Sequence, residues 1–251
     1  MIIDAPKSHH IPALRRLWQE AFEDSDAFLD GFFSTGFSPR RCRCLWEDGT
    51  LAAALYWFDC NRNGNKVAYV YAVATLKDFQ GKGLCKALME NTHEVLKESG
   101  YAGAILVPGN QGLFNLYSKL GYMPCCKMTE LTMEASKESA KLRQIAYTEY
   151  KTLQEKFYPA DSVFHGDTAL AFVATFCNFY RGEGFAFCGS ADDDTFYFQE
   201  FLGDTTFAPQ ILASLEAQKG ILQIPGDRDH AMYLDFEGET TLPNYFNISM
   251  G

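Results

Sequence analysis

Apolar residues change their spacing several times along the chain, and each change marks an element. Ile2-Ile3-Asp4 predicts a short first strand. Ile11, Leu14, Leu17, Trp18 and Phe22 then recur at helical spacing, with Pro12 tolerated in the first turn. Asp24 or Ser25 can cap a second helix carrying Phe28, Leu29, Phe32 and Phe33. Strands are predicted next over 42–46, 51–59 and 66–75, joined by Glu47-Asp48-Gly49 and by Asn61–Asn65, where Asn63-Gly64 marks a hairpin. Leu84, Ala87, Leu88, Val95 and Leu96 restore the helical period over 83–98, and Gly100 ends it. A buried strand over 102–107, a short helix over 110–120 closed by Gly121, and a strand over 125–133 come next. This order predicts an α/β (α+β) fold: a mixed, mostly antiparallel sheet flanked by helices.

Residues 134–141 are small and charged, and are predicted to link two domains, 1–133 and 142–251. The second half reads as a shortened copy of the first. Strands are predicted over 142–146, 185–189, 195–202, 221–224 and 232–236, and helices over 149–157, 169–179 and 209–217. Gly103-Ala104-Ile105-Leu106-Val107-Pro108-Gly109-Asn110 aligns with Gly220-Ile221-Leu222-Gln223-Ile224-Pro225-Gly226-Asp227, each after a helix. That match points to a degenerate internal duplication.

Composition narrows the class. With 47% hydrophobic and 22% charged residues the chain can bury a core, and its 251 residues favour two domains. A formal net charge of −10 disfavours nucleic acid and anionic membranes and tilts toward cationic ligands. The opening residues lack a signal-peptide pattern and no apolar run approaches a membrane span, so a cytoplasmic location is expected. None of the eight cysteines forms a C-x-x-C pair, and no metal is expected.

One loop carries candidate chemistry. After the strand ending Val73-Ala74-Thr75, the segment Gln80-Gly81-Lys82-Gly83 opens a helix through Leu84, Cys85 and Lys86. A glycine loop at a helix start presents free backbone N–H groups at the positive end of the helix dipole, which suits a phosphate or pyrophosphate. It is neither a dinucleotide fingerprint, because position 86 is Lys86, nor a P-loop.

Gln80-x-x-Gly83-x-Cys85 resembles the [QR]-x-x-G-x-[GA] loop of the GNAT superfamily of N-acetyltransferases. Asn110-x-x-Leu113-x-x-Leu116-Tyr117-x-x-Leu120-Gly121-Tyr122 is similar to that family's N-x-x-A-x-x-L-Y-x-x-x-G-[FY] helix. The resemblance spans about residues 1–133 and extends to tandem members whose second, smaller, degenerate domain lacks the cofactor loop. Cys85 stands where the family has Gly or Ala. The resemblance implies acetyl-CoA as co-substrate, with the pantetheine arm between splayed strands 66–75 and 102–107. It further implies contacts from Val73, Thr75 and Asn110, and pyrophosphate binding by Gln80 through Lys86. Val73 N–H would polarise the thioester carbonyl, and Tyr117 would be the general acid. The general base is open among Glu23, Asp26, Asp59 or a water chain, and the aromatic segment 18–33 is a candidate acceptor wall or core. The acceptor would be a small-molecule amine or a protein amino group. The alternative is a non-catalytic acyl-CoA-binding or sensor module. In the second half Leu202–Pro209 has no Gln-x-x-Gly core, so no CoA is expected there.

Overall fold

The computed structural model describes residues 1–238 and 241–250. In chain order the elements are β1 (Ile2–Asp4), α1 (Ile11–Phe22), α2 (Asp26–Gly31), β2 (Cys42–Glu47), β3 (Thr50–Arg62), β4 (Asn65–Thr75), α3 (Leu84–Glu98), β5 (Gly103–Leu106), α4 (Gln111–Ser118), β6 (Met123–Cys125) and β7 (Met128–Glu134). The chain continues through β8 (Arg143–Ile145), α5 (Tyr147–Phe157), β9 (Phe164–His165), α6 (Asp167–Val173), β10 (Asn178–Arg181), β11 (Phe185–Asp192), β12 (Thr195–Gly203), α7 (Ala208–Ser214), β13 (Lys219–Pro225) and β14 (Ala231–Asp235). They form two units: Met1–Pro124 with Ala231–Leu242, and Cys125–His230 with the segment from Pro243 onward.

The first unit is built on a sheet in the order β1-β2-β3-β4-β5-β14-β6, with β4 and β5 parallel. On one face α3 buries Leu84, Leu88, Met89 and Leu96 against Leu55, Ala68, Ala104 and Leu106. Apolar burial of this kind contributes roughly 1.5–3 kcal/mol per large side chain. Another cluster joins Trp18 of α1 to Phe32, Tyr56 and Tyr71, with ring centroids 4.6, 5.2 and 5.6 Å from that of Trp18. Of the two candidate caps, Ser25 holds the start of α2 through Phe28 N–H (3.2 Å), while Asp24 accepts from Trp18 Nε1 (2.7 Å). The second unit has a 6-stranded sheet in the order β7-β13-β12-β11-β10-β8, with β12 and β13 parallel. Phe185, Phe187, Phe196, Phe198 and Phe201 pack there against Ile211 and Leu212.

Both the domain boundaries and one strand depart from the sequence reading. The strand expected over 125–133 breaks at Cys126, whose φ of +53° is left-handed. Its first part, β6, stays in the first sheet, and its second part, β7, pairs with β13 of the second sheet. The place beside β5 is taken by β14, in register Met232↔Leu106 and Leu234↔Ala104. Units of 1–133 and 142–251 are therefore not what forms. The reason lies in the strands' sides. All four residues of β5 are buried, and Ala231, Met232 and Tyr233 are apolar and buried beside them, as an interior strand requires. Thr129-Glu130-Leu131-Thr132 is largely exposed, as an edge strand tolerates.

Residues 134–141 also do more than link. Ala135 N–H donates to Gln218 O (2.9 Å) and Ala140 N–H to Gln210 O (3.1 Å), which ties the segment into the second unit. The helix expected over 169–179 ends at Val173, and Asn178–Arg181 is a strand paired with β8 and β11. The aligned segments at 103 and 220 lead into equivalent strands. Both β5 and β13 have a parallel neighbour on one side and an antiparallel one on the other.

Candidate active site in the first unit

The site begins with an irregularity in the hairpin of β3 and β4. Its register passes from Tyr56↔Tyr71 to Ala54↔Ala74, so Ala72 and Val73 together oppose Leu55. Ala72 carries a φ of +47°. Holding a non-glycine residue there costs on the order of 1–3 kcal/mol, a strain that the surrounding sheet must impose. Such a bulge takes backbone groups out of the ladder and re-aims the strand. The parallel pairing of β4 with β5 stops at Tyr69↔Ile105, whereas β4 runs on to Thr75. Half-buried Val73 and Thr75 thus lie on the stretch of β4 beyond its ladder with β5, where their backbone has no partner strand on that side. Nothing in Ala72-Val73 signals the bulge in sequence, because neither residue favours positive φ.

Beyond Thr75 the chain makes a tight turn over Lys77–Phe79 and reaches the glycine loop. Gln80 Nε2 donates to Thr75 O (3.1 Å), so this side chain ties the loop back onto the strand end. Gly81 and Gly83 have φ of +73° and +79°, and a Cβ at either would meet nothing within 4 Å. Both positions favour glycine for backbone conformation, and the space above them is open. Gly83 is the N-cap of α3, makes no side-chain cap, and is followed by no acidic residue in the first turn. The first N–H groups of the helix are thereby left for a ligand. Leu84 is buried and Cys85 packs on the same core, so these two face inward and only their backbone can serve an anion outside. Lys82 lies over the Phe79 ring at 4.8 Å, and Lys86 pairs with Glu90 at 3.7 Å.

Asn110 and Tyr117 sit on α4. Asn110 is its N-cap, with Oδ1 accepting from Leu113 N–H at 3.1 Å, so the helix start alone accounts for this residue. Tyr117 is 6% exposed and packs edge-on to Tyr122, ring centroids 5.9 Å apart. Burial, reinforced by the neighbouring Cys85 thiol, raises its hydroxyl well above the ordinary tyrosine value. The Cys85 thiol is itself raised by burial. This coupling brings the α4 tyrosine beside the first turn of α3, which sequence separation conceals.

The three acids considered as bases are differently placed. Asp59 pairs with Arg41 (3.0 Å) and Lys66 (3.5 Å) and accepts from the Tyr101 hydroxyl. Burial pushes its carboxyl up, but those donors prevail and hold it below the usual range. It faces Ala68, six positions along β3 from the Ala53↔Thr75 pair, which is about 20 Å. Asp26 is engaged by Gln19 (2.7 Å) and Arg15 (3.6 Å), and Glu23 is the exposed C-cap of α1. Trp18 and Phe32 are each 1% exposed and are core, while Phe33 and Phe37 remain half-exposed. Among the described residues no group of three His, Cys, Asp or Glu is placed to hold a metal, and no helix is long and apolar enough to cross a membrane.

The model of the acetyltransferase (GNAT) domain matches residues 3–125. No curated protein sequence matches the chain. Among solved structures, it is similar to a GCN5-related N-acetyltransferase from Kribbella flavida (TM-score 0.71, 14% identity, 92% of this chain and 70% of that one). It is comparably similar to one from Anabaena variabilis (TM-score 0.70, 14% identity, 92% and 72%). A third, from Sphaerobacter thermophilus, is matched over 93% of this chain and 95% of its own, with TM-score 0.56 and 13% identity. At such identities the likeness is one of fold. Residues 3–125 match the GNAT acetyltransferase domain, and the two sheets give the chain a tandem GNAT-like fold.

Proposed function

We propose that the first unit binds acetyl-CoA along β4 and transfers the acetyl group to a primary amine. The observation that carries this reading is a series on one stretch of chain: the Ala72–Val73 bulge, the end of the β4–β5 ladder at Tyr69, and the uncapped glycine start of α3. The pantetheine arm would lie as an added strand against Val73 and Thr75, with Asn110 across from it. The pyrophosphate would sit on the N–H groups from Gly81 to Lys86, where the helix dipole favours negative charge.

In the reaction a neutral amine attacks the thioester carbonyl carbon. A C–N bond forms and the carbonyl π electrons move to oxygen. Val73 N–H stabilises that oxyanion. The C–S bond then breaks, the thiolate takes a proton, and the new ammonium loses one to water. Tyr117 is the donor in this scheme. Its raised pKa makes full transfer to a thiolate of pKa about 8.5 uphill, so its hydroxyl acts first by hydrogen-bonding the leaving sulphur. A water-mediated base fits the acceptor side, because Asp59 lies four positions, about 13 Å, along β3 from the Leu55 that opposes Val73, and is engaged by Arg41, Lys66 and Tyr101. The acceptor class favoured by the net charge of −10 is a small cationic amine.

A second reading, an acyl-CoA-binding module without chemistry, is favoured by one observation: Asn110 and Tyr117 both have structural work, as helix cap and core aromatic. Two measurements on the full chain separate the readings. Acetyl-CoA should raise the melting temperature, since it binds the folded state alone. Thiol release from acetyl-CoA should then depend on the amine added. A thermal shift without amine-dependent release identifies a binding module; the absence of both defeats the proposal.

A further inference from the structure

The second unit repeats the irregularity of the first. The β11/β12 register passes from Gly189↔Phe198 to Cys188↔Glu200, so β12 carries one extra residue there. Its parallel pairing with β13 stops at Phe198↔Leu222, while β12 continues to Gly203. A cavity of about 310 Å³ occupies this unit beside the two strand ends, lined among others by Phe157, Tyr158, Phe201, Gly203, Gln223 and Tyr245. Its volume suits a small ligand.

The chain leaving β12 has the opposite electrostatic character to the chain leaving β4. In place of a glycine loop there is Gly203-Asp204-Thr205, and the Asp204 carboxylate accepts from Thr206 N–H at 2.9 Å. A negative group already occupies the position an anion would need. Behind the cavity lies Glu200, fully buried. Its Oε2 accepts from Tyr150 (3.0 Å) and Gln154 Nε2 (2.7 Å), and its Oε1 from Tyr245 (3.3 Å) and from the Tyr158 hydroxyl. Four donors on two oxygens match the acceptor capacity of an ionised carboxylate. Among the described residues no Lys, Arg or His forms an ion pair with Glu200. The buried Gln154 Oε1 beside it has no hydrogen-bond partner, so the cluster carries a second uncompensated negative end. A buried charge without a counter-charge is costly. Tyr158 and Tyr245 connect this charge to the cavity: each donates its hydroxyl to Glu200 and each lines the space. A phenol polarised toward phenolate has a more electron-rich ring, and aromatic faces attract cations.

We propose that the cavity between the ends of β12 and β13 binds a small organic cation, such as a substituted ammonium, held by the rings of Tyr158 and Tyr245 over the buried Glu200 charge, while Phe157, whose ring carries the Lys156 ammonium at 5.6 Å, only closes the wall. This site belongs to the second unit alone and is independent of whether the first unit is a catalyst.

The test uses the full chain with choline and its neutral isostere 3,3-dimethylbutan-1-ol as probes, titrated by calorimetry or ligand-observed NMR. Choline should bind saturably, and the isostere about tenfold more weakly or not at all. Thr205→Arg places a positive charge on the half-exposed turn that lines the cavity; it should abolish choline binding while leaving the melting temperature and the response to acetyl-CoA unchanged. Glu200→Gln should also abolish it, and because that variant can misfold, Thr205→Arg is the deciding one. No saturable choline binding, equal binding of the isostere, or wild-type binding by Thr205→Arg would overturn the proposal.

Discussion

The ends of β4 and β12 share a bulge and a parallel ladder that stops short, yet they lead into opposite electrostatics. After β4 the chain reaches two left-handed glycines and the uncapped start of the 15-residue α3. After β12 it reaches Asp204, which fills its own turn, and the 7-residue α7, which begins Ala208-Pro209. Behind β4 the core is apolar; beside β12 it holds the Glu200 carboxylate under four donors. The sheet geometry is thus a reusable frame, and a handful of residues at its open end decide the sign of charge it accepts. Fold alone would have assigned the same ligand to both strand ends.

The largest effect should come from testing whether the two sites can be separated at all. Because β14 supplies the strand beside β5, a fragment of 1–133 lacks Met232 and Tyr233, which are 0% and 1% exposed. Losing several such side chains, at roughly 1.5–3 kcal/mol each, approaches the whole stability of a domain. That fragment should show no cooperative melting by circular dichroism, whereas the full chain should. A folded fragment that binds acetyl-CoA would mean that the first site is independent of the C-terminal strand.

Giving the first site the chemistry of the second is the next step. Gly83→Asp puts a carboxylate where the pyrophosphate would rest and should eliminate the acetyl-CoA thermal shift. Gly83→Asn, which tolerates a φ of +79°, should keep part of it. Equal shifts in wild type and Gly83→Asp would show that the loop does not hold the cofactor.

Tyr117→Phe deletes one oxygen and keeps the packed ring. Turnover should fall about 10²-fold with the KM for acetyl-CoA nearly unchanged, as for a group acting in the transition state. Because its pKa is raised, the hydroxyl stays protonated through the working range, so the kcat profile should show no descending limb from this residue below about pH 10. Unchanged turnover in the variant would return Tyr117 to a packing role.

Acid should weaken both units. His93 in the first and His165 in the second are each lowered to about 4, chiefly by burial. Unfolded histidine titrates near 6.5, so the unfolded chain binds these protons first, and the stability is present above 6.5 and lost as pH falls toward 4. Glu200 has the opposite sign: its carboxyl is raised by burial, so its contribution is present at low pH and lost as pH rises through the folded value. Melting temperatures should therefore drop between pH 6.5 and 4, and His93→Gln should flatten that slope. A slope identical to wild type would remove His93 from the account. The smallest effect is expected from Lys86→Ala, which deletes an exposed i,i+4 pair with Glu90 worth about 0.3–0.5 kcal/mol. Its melting temperature should shift by no more than a degree or two.

Local chemistry was legible from the chain alone. The strands over 42–75 follow from their short apolar runs and the Asn63-Gly64 turn, and the start of α3 from glycines that only a left-handed backbone needs. The duplication showed in the aligned segments at 103 and 220, and the missing glycine loop after β12 in plain letters. Tertiary structure decided what depends on partners distant in sequence. Periodicity identifies a strand but not its neighbour, so the exchange that sends β7 to the second sheet and brings β14 to β5 could be seen only in pairing. The bulge at Ala72–Val73 comes from sheet strain rather than from residue preference. Glu200 read as one more acid in a chain of 32 acidic residues; burial and four donors from α5, Tyr158 and Tyr245 set it apart, because a charge acquires its cost and its use only when the fold takes it out of water.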